Sequence, residues 1–356
     1  MNNKKINYKY DIDKTAEENN IPAIAIQRIE NGIKSYEYYG KRANNHDGKV
    51  ESEDLWHIGS CSKSMVAYLI ASLVDQGNLS FTDSLSKFFP KNIIHSYRGV
   101  KIKYLLTHTS GIPEVIKVKN QKNLMAQTEK KYEIEKVRNG LIEDIFKLPP
   151  DFMPAEKFEY SNSNYVILGQ IAAKVTNMSW EESMKKYVFT PLKMNSCGFG
   201  ASATKDLRIP DQPWGHKFIE GKLTSIPNLT EAKETADNPV SIAAAGSIHC
   251  DFKSWEAFLI EMLNSAKGNS DLLKSSTASY LFKEYEDGVA NGGWGVSKKS
   301  WANGLVYTMV GSNELNYAMY IIIPDANLIL MGVVNSGSDV ALKGLTSSMM
   351  KLLNEK

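Results

Sequence analysis

The sequence predicts an α+β fold (α/β in the broad sense): one antiparallel β-sheet built from both chain ends, flanked by helices, with a mostly helical insert between them. Strand-like runs lie near the N-terminus and return only in the C-terminal part, whereas the middle reads as helices and long loops. No internal repeat or low-complexity linker cuts the chain into separate units. These observations predict a sheet region over 1–60 and 250–356, a mainly helical insert over 61–249, and an active-site cleft where the two meet.

A helix is expected through Asp11–Asn19, then strands Ala23–Glu30 and Lys34–Tyr39 joined by the turn Asn31-Gly32, a pair of residues that tolerates positive φ. After Trp56-His57-Ile58-Gly59 the period changes. Met65, Val66, Leu69, Ile70, Leu73 and Val74 recur at helical spacing up to Gly77, a natural helix stop. Nearly every face of that helix is apolar, so it should be buried. Further helices are expected at Tyr132–Lys147, Asn164–Val175, Trp180–Lys186, Phe252–Asn264 and Ala341–Leu353, and strands at Gly293–Ser297, Tyr317–Ile323 and Leu328–Val334.

The 356 residues suffice for one large domain or two closely packed ones, and 42% hydrophobic with 23% charged is an ordinary globular composition. A net charge of +2, spread along the chain, argues against nucleic acid or a membrane surface as partner. The polar N-terminus lacks the apolar core of a secretory signal, and no run approaches the roughly 18 apolar residues of a membrane span. Cys61, Cys197 and Cys250 are too few and too far apart for a metal cage or a disulfide framework. That odd count favours a reducing compartment, and the expected location is the cytoplasm. A leader removed from the native protein would leave the same picture, with a periplasmic or secreted location.

The chain has no G-x-S-x-G elbow, no H-E-x-x-H and no P-loop. It does carry S-x-x-K. A serine at a helix start and a lysine one turn later share a face, and a desolvated amine can help remove the hydroxyl proton. The pattern occurs five times, at Ser60/Lys63, Ser84/Lys87, Ser183/Lys186, Ser202/Lys205 and Ser348/Lys351, so spacing alone selects nothing. Only Ser60 enters the wholly apolar helix, after a glycine, which should draw Lys63 inside, where an amine needs a partner. The motif leaves a second reading open, a helix cap with Lys63 snorkelling to water. Tyr160-Ser161-Asn162 is the one Y-x-N among 17 tyrosines. Its phenol could serve Ser60 as base and Asn162 could bind Lys63, or Tyr160 could simply pack over a capped turn.

Taken in order, these segments resemble the class C β-lactamase and DD-peptidase-like serine hydrolases, the penicillin-binding-protein type. The resemblance runs through Trp56-His57-Ile58-Gly59-Ser60-Cys61-Ser62-Lys63-Ser64-Met65, Gly77-Asn78-Leu79-Ser80-Phe81-Thr82-Asp83 and Leu105-Leu106-Thr107-His108-Thr109-Ser110-Gly111-Ile112-Pro113. It continues through Phe158-Glu159-Tyr160-Ser161-Asn162, Pro191-Leu192-Lys193-Met194, Gln212-Pro213-Trp214-Gly215-His216 and Gly311-Ser312-Asn313. It implies Ser60 as acylated nucleophile, Lys63 and Tyr160 as the proton-transfer pair, and Asn162 as orienter of Lys63 and substrate. It implies an oxyanion hole from the backbone N–H groups of Ser60 and Ser312, with Gly311 admitting the close approach of an edge strand; such donors supply about 3 kcal/mol each. The His108 segment is implied to shape the insert rather than to do chemistry.

One position departs from the family. Where members carry K-T-G or H-x-G, this chain places Met309-Val310 before the glycine, and a register shift of two would place Tyr307 there, again without a cation. Methionine offers no charge to a substrate carboxylate. The reading that follows is a cofactor-free, metal-free esterase, amidase or peptidase acting on a small-molecule or peptide acyl substrate through Ser60. A true β-lactamase or D-Ala-D-Ala carboxypeptidase is the narrower alternative. An acyltransferase or a catalytically impaired ligand-binding homologue are the others. Pocket shape should come from the loops around Val115–Glu129 and Phe218–Asn238. Substrate and oligomeric state are not legible.

Overall fold

A computed structural model describes residues 8–90, 94–119, 121–126, 131–202, 209–228, 236–286 and 288–354. Parts of both loops expected to shape the pocket, and Lys205 of the fourth S-x-x-K, lie outside the described residues. In chain order the strands begin with β1 (Ala23–Glu30), β2 (Ile33–Gly40) and β3 (Trp56–His57), followed by β4 (Gly198–Phe199), β5 (Gly215–Ile219) and β6 (Lys222–Ile226). The C-terminal part supplies β7 (Ile248–Cys250), β8 (Glu284–Glu286), β9 (Val289–Ala290), β10 (Gly295–Lys299), β11 (Gly304–Ser312), β12 (Tyr317–Ile323) and β13 (Leu328–Val334).

Eight of these form one antiparallel sheet in the order β2-β1-β13-β12-β11-β10-β9-β8, so the N-terminal hairpin joins the C-terminal strands through β1 and β13. The hairpin turn is the one the sequence predicts, with Asn31 at φ 52° and Gly32 at φ 79°. Both faces of the sheet are covered, so its inner strands are apolar on both sides. On β13, Ile329, Met331 and Val333 face the larger core with helices Ser62–Asp75 and Phe252–Ala266. Leu328, Leu330 and Val334 face the smaller core, with Ile12 and Ala16 of helix Tyr8–Glu18 and Leu345 and Met349 of helix Asp339–Asn354. Period-two alternation thus assigns each residue to one of two cores.

Helices Lys131–Phe146 and Asn162–Thr176 lie near their expected bounds. The one expected at Trp180–Lys186 is α-helical only over Trp180–Met184 and continues as a π-turn over Lys185–Phe189. The middle of the chain also carries strands where the sequence shows only loops and helices. β3, β7 and β4 form a three-stranded sheet, and β5 and β6 a hairpin. Strands of two or three residues are too short for period-two patterning to register.

The small sheet corrects the reading of the cysteines. Gly198 pairs with His249, which sets the residues on either side of that pair, Cys197 and Cys250, opposite each other, and they form a disulfide. Their 53-residue separation says nothing about distance once β4 lies against β7. With that bond in place, the cysteine count no longer argues for a reducing compartment. Among the described residues, no helix is long and apolar enough to cross a membrane.

His216 on β5 ties the second hairpin to the main sheet. Its Nε2 accepts the backbone N–H of Asn44 at 3.1 Å, which leaves Nδ1–H to donate to the carbonyl of Asn335 at 2.6 Å. Asn335 in turn accepts the Ala23 N–H at 2.7 Å and donates to the carbonyls of Lys41 and Arg42. Burial, only partly offset by the hydrogen bonds with Asn335 and Trp214, pushes the His216 pKa down to about 4.

The Cys197–Cys250 bond closes a loop across a sequence separation of 53. Closing a loop of this length is worth about 4 kcal/mol by chain entropy. Cys197→Ser should therefore lower the melting temperature markedly, and reduced wild-type protein should melt with the variant. Below an ordinary histidine pKa of about 6.5, the unfolded chain takes up a proton at His216 that the folded one refuses. Stability should accordingly fall as pH drops from about 6.5 toward 4, by about 1.4 kcal/mol per pH unit for this group. Denaturant melts of His216→Gln should show a shallower slope over that window.

Candidate active site

The turn into helix Ser62–Asp75 is built on a backbone only glycine adopts cheaply. Gly59 sits at φ 50°, and its N–H is held by His57 Nδ1 at 3.1 Å. Because His57 Nδ1 accepts, its Nε2–H donates to Asp237 at 2.6 Å. Ser62 Oγ donates to the Gly59 carbonyl at 2.6 Å and accepts the Ile248 N–H at 3.2 Å. The turn at Ser60 is thereby fastened to β7 as well as to its own helix.

Ser62 through Leu73 are all buried, as the apolar pattern requires, and Lys63 is buried to 0% exposure. An ammonium has three donors and no acceptor, so its burial demands three acceptors. Lys63 Nζ finds them at Ser60 Oγ (2.9 Å), Asn162 Oδ1 (2.9 Å) and the carbonyl of Ala245 (2.5 Å). The amine also lies over the rings of Tyr160 and Tyr165, 5.0 and 5.6 Å from their centroids. Snorkelling to water, open on the motif alone, is therefore excluded.

Tyr160 is 42% exposed and places its hydroxyl 2.7 Å from Ser60 Oγ. Ser60, Lys63, Tyr160 and Asn162 thus meet at one point. Asn162 opens helix Asn162–Thr176, with Ser161 at the N-cap. Its backbone N–H and its Nδ2 both donate to the carboxylate of Glu114, at 2.5 and 3.0 Å. With the amide nitrogen so engaged, Oδ1 is the end left for Lys63.

Gly311 comes against the Ser60 turn from the sheet. A methyl group there would collide with the carbonyl oxygen of Ile58 and stand 2.6 Å from the backbone nitrogen of Ser60. One on Gly59 would run into the backbone nitrogen of Ser312. The Gly59–Ser60 turn and the Gly311–Ser312 strand end therefore meet backbone to backbone, and the two glycine positions exclude a side chain. The expected edge strand is instead an inner strand of the sheet, lying between β10 and β12. Its end still behaves as an edge, because pairing with β10 stops at Gly295–Thr308 and residues 309–312 are laddered to β12 alone.

Met309, expected from the resemblance to stand where the family carries a cation, lies on the same side of β11 as Gly311. Its side chain packs on the larger core, where its sulfur accepts a hydrogen bond from Ser64 Oγ at 3.1 Å; Ser64 Oγ is itself 2.7 Å from Tyr320 Oη. Tyr307 is buried and donates to the Phe282 carbonyl at 3.1 Å, so neither register supplies a charge. Cys61 is a buried free thiol whose pKa burial pushes up, a packing group.

Four contributors to the site escaped the sequence: the Ala245 carbonyl, Glu114, the His57–Asp237 pair and the ring of His108, which stacks on Tyr160 at 4.5 Å between centroids. Main-chain atoms carry no signature, and Glu114 and Asp237 are two among 40 acidic residues. Among the described residues no group of three His, Cys, Asp or Glu side chains could hold a metal ion.

The family model described as Beta-lactamase matches residues 11–344. The chain is 24% identical over 215 residues to "Beta-lactamase" of Escherichia coli K12, covering 59% of this chain and 51% of that one. The chain thus spans about half the length, or less, of the curated relatives it matches. The penicillin binding protein of Bacillus halodurans superposes with TM-score 0.76 at 20% identity, over 99% of this chain and 100% of that one. The D-amino acid amidase of Ochrobactrum anthropi SV3 complexed with L-phenylalanine amide superposes with TM-score 0.74 at 16% identity, over 98% and 97%. A family match spanning nearly the whole chain, on a fold shared with these structures, means that the protein belongs to the Beta-lactamase family.

Proposed function

We propose that this protein is a serine acyl hydrolase that cleaves an ester or amide through an acyl-enzyme on Ser60. The observation that carries the reading is the convergence on Ser60 Oγ of the Tyr160 hydroxyl at 2.7 Å and the Lys63 amine at 2.9 Å. Ser60 Oγ bonds to the acyl carbon as its proton passes to Tyr160, acting as phenolate beside the Lys63 ammonium, and the carbonyl electrons move onto oxygen. The oxyanion lies toward the backbone N–H groups of Ser60 and Ser312. Collapse returns the proton to the departing alcohol or amine and leaves acyl-Ser60. Water, or another acceptor, then repeats the sequence and releases the acid or the transferred acyl group.

Met309 favours neutral acyl donors over penicillins and peptides ending in D-Ala, which present a carboxylate beside the scissile bond. A thioether held by the Ser64 hydroxyl gives such a carboxylate no counter-charge. The amidase among the structural neighbours makes amino acid amides reasonable donors to try beside simple esters.

The test is intact-protein mass and turnover with p-nitrophenyl esters, amino acid amides and a penicillin, run beside Ser60→Ala. Ser60→Ala should abolish acylation, while Ser84→Ala and Ser183→Ala, outside the convergence, should retain it. Tyr160→Phe should slow acylation by about 10²-fold or more, as expected for a lost general base. Glu114→Gln sets an amide against the two donors of Asn162 and should slow it about tenfold, the equivalent of one hydrogen bond. Undiminished acylation in Ser60→Ala would sink the mechanism. No adduct with any donor would favour a ligand-binding homologue instead.

A further inference from the structure

We infer that His108 is the positioning residue for Tyr160, holding its hydroxyl over Ser60; the inference rests on the acyl-enzyme reading above. Three different parts of this one residue meet three consecutive residues. The His108 carbonyl accepts the N–H of Glu159 at 2.9 Å, and Nδ1 accepts the N–H of Ser161 at 3.1 Å. Between those bonds the imidazole face stacks on the Tyr160 ring, 4.5 Å between centroids and 30° between planes. The main chain is thus pinned on both sides of the tyrosine while the ring itself is backed.

His108 can do this because of where the chain puts it. Helix Ile102–Leu106 ends there, and His108 takes a left-handed conformation at φ 56°, which turns ring and carbonyl toward the same segment. The residue is 1% exposed. Its ring also lies near that of Tyr165, 5.3 Å between centroids, and the Tyr165 ring lies beneath the Lys63 amine. A shift of the imidazole would therefore move the phenol and disturb the seat of the amine together.

The ring must stay neutral for the arrangement to hold. Nδ1 can accept from Ser161 only if it carries no proton, and a cationic imidazole would stand near the Lys63 amine. Burial, assisted by the charge of Lys63, pushes the His108 pKa down to about 3. The ring hydrogen then sits on Nε2, which has no hydrogen-bond partner among the described residues. A purely space-filling role would be served by an apolar ring without burying an unpartnered donor. Phenylalanine would keep the stacking and lose the Ser161 acceptor, which makes it the informative replacement.

The experiment is a double-mutant cycle on the rate at which a fluorophosphonate labels Ser60, followed by intact mass. It uses the full chain as wild type, His108→Phe, Tyr160→Phe and the double variant. His108→Phe should slow labelling about tenfold when Tyr160 is present and change it less than twofold in Tyr160→Phe. An equal loss in both backgrounds, or no loss in either, overturns the inference. If His108→Phe does not fold, His108→Asn tolerates the left-handed backbone, removes the ring and completes the same cycle. A crystal structure of the folded variant supplies a readout independent of activity. Tyr160 Oη should lie beyond hydrogen-bond reach of Ser60 Oγ, and its persistence near 2.7 Å refutes the role. Absence of wild-type labelling at Ser60 would instead count against the acyl-enzyme reading, and the structure would still decide the positioning role.

Discussion

A lysine amine with no exposure to water has to be given three acceptors inside the protein, and much of the architecture around the site follows from that requirement. The acceptors come from three separate stretches: the turn at Ser60, the helix start at Asn162 and the main chain at Ala245. Removing one would leave a buried donor unpaired, which costs more than the net value of the bond itself. Three stretches far apart in the chain are therefore joined at the site by a polar necessity as well as by apolar packing.

Each acceptor is secured in turn. Asn162 is turned by Glu114, and the Ser60 turn is held through Gly59 by His57, which is itself held by Asp237. Ala245 precedes β7, which is paired with β3 on one side and with β4 on the other and is joined to Cys197 by the disulfide. Gly59 and Gly311 complete the frame by allowing two backbones to touch where any side chain would separate them. Side chains anchored at both ends in this manner lose little further freedom when a substrate arrives, the usual benefit of preorganisation.

The longer elements were readable because their period spans several turns or residue pairs. β1, β12 and β13 have the bounds their alternating or continuous apolar runs indicate, and the buried helix after Ser60 is apolar on nearly every face. Ser60 could be separated from Ser84 and Ser183 for the same physical reason, since only its lysine heads into a core. β4 and β7 were not readable, because two or three residues give no period, and the Cys197–Cys250 bond depends entirely on their pairing. Helix Trp180–Met184 passes into a π-turn that propensity does not distinguish from α.

The sequence by itself determined the sheet built from both chain ends, the family, and a short list of residues able to meet at one serine. Those properties are carried by side-chain type and local spacing, which one chain displays in full. The tertiary structure alone decided that Lys63 is seated rather than snorkelling, that Glu114 and His108 back Asn162 and Tyr160, and that Met309 packs on Ser64. It also decided that two distant cysteines meet. Each of these depends on contacts between residues far apart in the chain, where approach is set by the packing of whole elements and leaves no mark in local composition.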